Sequence, residues 1–136
     1  MSAAEYDLYI QKGETFRRVI TLTYPDVDPV TNLPIQVPVD LTGCSAVAFI
    51  KPFADDKAIP LAEIDCTIDD DPTTGVITIS LPLETTETIP TTGKNYRQIS
   101  KYVWDMLLID SLGEAIRLFN GFVDVSPRAS RVTQYA

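Results

Sequence analysis

Histidine is absent from this 136-residue chain, cysteine occurs twice, glycine six times, and 19 acidic side chains face only 11 basic ones. Each shortage excludes something. Without histidine there is no imidazole base, no nucleophile-activating triad of the usual kind and none of the commonest zinc ligand. Cys44 and Cys66 stand far apart, with no partners at metal-ligand spacing, so they do not read as a zinc site. Six glycines leave no Gly-rich phosphate loop. A formal net charge of -8 sets the overall field against phosphate backbones, and nucleic acid is not an expected partner. No apolar run approaches the roughly 18 to 20 residues that span a bilayer. The opening "MSAAEYDLYIQKGE" lacks a basic segment followed by an apolar one, so no signal peptide is expected. On these grounds neither catalysis nor a cofactor, metal, membrane or small-molecule substrate is expected.

What is present is strand. The length fits one domain able to bury a real core, and 45% apolar with 22% charged residues describes a globular chain. "YDLYI" (6–10) is short and aromatic-rich, and "QKG" turns it into "ETFRRVITLT" (14–23), where Phe16, Ile20 and Leu22 share a face. Arg18 falls on that apolar parity, which predicts a bulge or an edge position. Residues 24–38, "YPDVDPVTNLPIQVP", carry four prolines and read as a long surface loop or irregular hairpin. "CSAVAFIKP" (44–52), "LAEIDCTI" (61–68) and "VITISL" (76–81) are further strands, the last with Ile77, Ile79 and Leu81 inward. "PLETTETIP" allows one helical turn. "YVWDMLLID" (102–110) and "EAIRLFNGFVDV" (114–125) flank "SLG", a hairpin connection with Gly113 free to take positive φ. About seven to eight short strands and no long helix predict an all-β, antiparallel sandwich.

Smaller features have local explanations. Asp40 and Thr42 can bond nearby backbone amides, and Gly43 can turn left-handed ahead of the strand at 44–52. Asp26, Asp28 and Asn32, or Asp69 to Asp71, carry oxygen ligands for calcium, but Pro29 and Pro72 make turn chemistry the simpler account. Trp104 shares parity with Tyr102, Met106 and Leu108, which favours a core position over a sugar-stacking platform. Tyr6, Tyr9, Tyr24, Tyr96 and Tyr135 supply aromatics without a clear cluster. Both cysteines are expected as thiols, a disulfide being the alternative.

The order of "YDLYIQKGETFRRVITL", "VDLTGCSAVAFIKP", "GVITISLP" and "YVWDMLLIDSLGEAIRLFNGFVDVSP" resembles the immunoglobulin-like β-sandwich modules of tailed bacteriophages and prophages. Such modules occur in tail, baseplate and fibre-attachment proteins, among them the N-terminal domain of siphophage upper-baseplate proteins. The resemblance covers most of residues 6–127. It departs at Cys44, where an aromatic is usual, in the long 24–38 stretch, and in the extra residues 94–100. It implies an immunoglobulin-like fold and a virion protein, assembled in the host cytoplasm, that docks onto its own copies and onto other virion proteins. A carbohydrate-binding module for a host receptor, or a head or neck-associated virion protein, is the alternative. A compact core over about 6–127 and a C-terminal extension, 128–136, are expected. Residues 1–10 and 126–136 read as margins of that core. The candidate interface residues are therefore Tyr6 and Tyr9, then Pro25, Pro29 and Pro34 in the proline-stiffened loop, and Arg128, Arg131 and Tyr135 in a basic tail beside an acidic body.

Overall fold

A computed structural model describes residues 3–55, 57–95 and 97–127. Ten strands are present among them: β1 (Ala4–Glu5), β2 (Leu8–Gln11), β3 (Phe16–Thr21), β4 (Thr23–Val27), β5 (Pro34–Pro38), β6 (Ser45–Lys51), β7 (Ala62–Ile68), β8 (Val76–Leu81), β9 (Ser100–Ile109) and β10 (Ala115–Ser126). A 3₁₀ turn at Pro72–Thr74 and one helical turn, α1 (Leu83–Thr86), complete the regular structure.

The strand order β1-β10-β9-β6-β7-β8-β3 folds into an immunoglobulin-like β-sandwich. One layer contains β10, β9 and β6, with β2 also paired to β10; the other contains β8 and β3. β7 joins them, because its first half pairs with β6 (Ala48 with Ile64) and its second half with β8 (Ile68 with Ile77). This is the Greek-key pairing of immunoglobulin domains, in which the second strand pairs with the fifth and the third with the sixth. β3 with β8 and β6 with β9 fill those places.

Alternation builds the core. Ile77, Ile79 and Leu81 point inward from β8, as their spacing predicts, and Trp104, Met106 and Leu108 do so from β9. Leu41, Ile50, Ile64, Ile89 and Val123 complete one apolar cluster between the layers. Burying a side chain of this size contributes about 1.5 to 3 kcal/mol.

Three expectations need correction. The N-terminal segment does not form a hairpin with the strand after it: β1 and β2 pair in parallel with β10, Val123 opposite Leu8 and Val125 opposite Ile10. Parallel pairing puts Leu8 and Ile10, 3% and 1% exposed, over the core, and residues 12–15 then cross to the other layer. Residues 4–10 are thus part of the sandwich and not its margin. Ser126 is likewise a buried β10 residue, so the expected C-terminal margin begins later than residue 126. Arg18 takes the edge alternative and not the bulge, since β3 and β8 keep unbroken register from Phe16 to Thr21. It is exposed because β3 is the last strand of its layer. The one register shift in the pairing of β9 with β10 lies between Arg117 and Phe119, where no sequence signal marks it.

Candidate interaction site: a projecting arm and an open sheet edge

β3 does not stop at the rim of the sandwich. After Leu22 the chain continues as β4, which pairs antiparallel with β5 as a separate two-stranded sheet, Tyr24 opposite Val37 and Val27 opposite Pro34. The base of this arm is tied down by Leu22 N donating to Gly75 O (2.8 Å) and Val39 N donating to Leu22 O (2.9 Å). Its tip closes through Asp28 N to Leu33 O (2.9 Å) and Asn32 N to Asp28 O (2.8 Å), with Asn32 at φ 61°. The Asp28 carboxylate accepts from Val30 N, and that hydrogen bond lowers its pKa. Prolines occupy both strands, which a two-stranded ribbon tolerates because each strand has a free edge.

All five β4 residues and four of the five in β5 are exposed. Tyr24, Val27, Val30, Leu33 and Ile35 form the apolar part of that surface, Val30 at 90% exposure. Pro25, Pro29 and Pro34 all lie on this arm and are exposed, so the structure brings these three candidates together. An isolated two-stranded ribbon is marginal in water, and no β4 or β5 residue of this one belongs to the buried core cluster.

The other candidates are placed differently. Tyr6 is half-buried: its ring packs edge-on against Trp104 (6.3 Å) and Phe119 (5.7 Å), and its carbonyl accepts from Trp104 Nε1 (2.6 Å). Trp104 is 3% exposed, a core residue as its parity predicts. Gly121, opposite Trp104 on β10, lets the N-terminal chain come this close, because a Cβ there would collide with the Tyr6 carbonyl. Tyr9 stays outside, about half exposed on β2. Arg128, Arg131 and Tyr135 lie outside the described residues, as does Tyr96.

Tyr9 lines an open notch with Gln11, Glu14, Thr15, Phe16 and Arg18, where the edges of the two layers meet. Its frame is α1: buried Thr86 accepts from Gly13 N (3.1 Å) and donates to Glu14 O (2.9 Å), which fixes the crossing from β2 to β3. Arg18 lies over the Phe16 ring at 4.7 Å and donates to the Arg17 carbonyl (2.8 Å). Arg17 and Arg18 form no ion pair among the described residues, unlike Lys101 with Asp124 and Arg117 with Asp105. No sequence motif marks this notch; its one signal in the chain is Arg18 on an apolar parity.

The acidic turns are built from their own backbone. Asp40 accepts from Thr42 N (3.0 Å), with Gly43 at φ 75°. The Thr42 hydroxyl bonds the Asp40 carboxylate and no backbone amide, and that side-chain bond, with the backbone one, lowers the Asp40 pKa. Asp71 caps the 3₁₀ turn through Thr73 N (3.1 Å). No group of three or more metal-ligating side chains occurs among the described residues. Cys44 and Cys66 are free thiols, and burial pushes the Cys66 pKa up to about 11.

No protein-family model and no curated protein matches this chain. Solved structures similar to it include CopC from Methylosinus trichosporium OB3b, at 12% identity over 95% of this chain and 89% of that one, with a TM-score of 0.39. Another is murine CRIg, at 6% identity over 90% of this chain and 92% of that one, with a TM-score of 0.35. The topology above, not these distant likenesses, identifies the fold as an immunoglobulin-like β-sandwich.

Proposed function

We propose that this protein is a non-catalytic docking module of a bacteriophage particle, a structural adaptor of the tail, baseplate or fibre-attachment region. The observation that carries the docking role is the arm: a proline-stiffened ribbon with five large apolar residues in water, set on a rigid sandwich. Prolines and strand pairing restrict the free arm, so less conformational entropy is lost when a partner covers it. The arm grows from the connection between the second and third core strands, a place where immunoglobulin variable domains carry a binding loop. The phage assignment rests on the order of motifs along the chain. A sugar-stacking role for Trp104 loses its basis once the indole is in the core.

The test is biochemical. Purified particles of the phage that encodes the chain should contain it as a stoichiometric band resistant to salt washing. Absence from washed particles rejects the virion reading. A glycan-array signal from the isolated protein, lost on Tyr9→Ala, would move the assignment to a carbohydrate-binding module.

A further inference from the structure

The arm and the notch lie at opposite ends of one continuous stretch of chain. β3 begins at Phe16 beside the notch, and Leu22 at its other end leads into the arm. β3 is also an open edge, paired only with β8, so the backbone groups on its other side have no strand to bond. Charge differs between the two ends. From Val19 to Ile50 the chain has no lysine or arginine, and the arm carries Asp26 and Asp28. Arg17 and Arg18 flank the open edge on its two faces, without a carboxylate partner among the described residues, in a protein of net charge -8. The five-residue strands of the arm match the six-residue β3 in length, about 17 to 20 Å at strand rise.

We infer that the arm of one copy docks along the open β3 edge of a second copy, with Asp26 and Asp28 against Arg17 and Arg18 and the arm's apolar side chains reaching toward Tyr9 and Phe16. This deepens the docking role proposed above and rests on it for biological meaning, though not for its test. The added strand takes up the unpaired backbone groups of β3, and the carboxylates replace the hydrogen bond that Arg18 makes to its neighbour's carbonyl. Donor and acceptor surfaces are different, the arm on one copy and the β3 edge on the next, so the contact is heterologous. It repeats head to tail and closes into a ring or runs on as a stack.

The experiment is sedimentation velocity on the full chain across a concentration series. The wild type should self-associate as concentration rises. Replacing residues 26–35 by Asn-Gly keeps the Pro25–Gln36 pair and removes the donor; Arg17→Glu/Arg18→Glu removes the acceptor charge. Each should weaken association by at least about tenfold, with circular dichroism and the unfolding midpoint showing an intact sandwich. The decisive sample mixes Asp26→Arg/Asp28→Arg with Arg17→Glu/Arg18→Glu. Each alone carries like charges on its two surfaces and should stay monomeric, while the mixture should assemble in alternation. A wild type that is monomeric throughout, association indifferent to these variants, or a mixture that stays monomeric overturns the inference. None of these outcomes depends on whether purified particles contain the protein, which tests the virion reading separately.

Discussion

Trp104 shows how much one side chain organises. It fills the core between the layers, stacks beside Phe119 at 6.4 Å and holds the N-terminal chain through the Tyr6 carbonyl. Trp104→Ala should cost about 3 to 5 kcal/mol in urea unfolding, a cavity combined with an unsatisfied carbonyl. Native emission should be blue-shifted and shielded from acrylamide; red, quenchable emission would contradict the burial. Cys66 makes a second residue-scale prediction. Its thiol lies among apolar neighbours with Asp65 and Glu63 nearby, and both effects hold it protonated up to about pH 11. A thiol in the unfolded chain ionises near its ordinary value, so any stability linked to Cys66 is present below pH 9 and is lost as pH rises toward 11. Iodoacetamide at pH 8 should therefore leave Cys66 unmodified in the native protein and label both cysteines after denaturation. Rapid native labelling of Cys66, or no labelling when denatured, would contradict a free, half-buried thiol.

At the scale of elements, α1 is too short to be stable alone, and its value lies in Thr86. The hydroxyl satisfies Gly13 N and Glu14 O across the sandwich rim, so the helical turn clamps the β2–β3 crossing. Thr86→Val keeps the shape and leaves those groups unpaired, and should cost about 1 to 3 kcal/mol in the same unfolding assay. A neutral result would show that the clamp is dispensable. The arm is the contrary case, since it contributes apolar surface to water and none to the core.

For the whole molecule, the stiffness of the sandwich and the projection of the arm suit a repeating structural unit, and the basic tail is a further contact candidate. On the virion reading proposed above, deleting residues 128–136 should reduce the copies of this protein in purified particles, counted by quantitative mass spectrometry. Normal incorporation with normal infectivity would remove the tail from the docking role and leave the arm.

Strand content, the inward set on β8 and β9, the turns at Gly43 and Gly113 and the core position of Trp104 follow from the sequence alone, because alternation and turn chemistry act over a few residues. Pro25, Pro29 and Pro34 likewise mark 24–38 as surface by composition, since proline cannot donate to a central ladder. The partner of each edge strand does not follow. "YDLYI" has the same pattern whether it pairs with β3 or with β10, and the parallel choice is decided by which edge leaves Leu8 and Ile10 over the core and Gly121 beneath Tyr6. For the same reason Tyr6 reads as a surface aromatic in the chain and is half-buried against the core in the fold. The notch joins residues from β2, the crossing and β3 whose meeting depends on two sheets closing over one core. Local sequence has no term for that closure, and tertiary packing alone decides it.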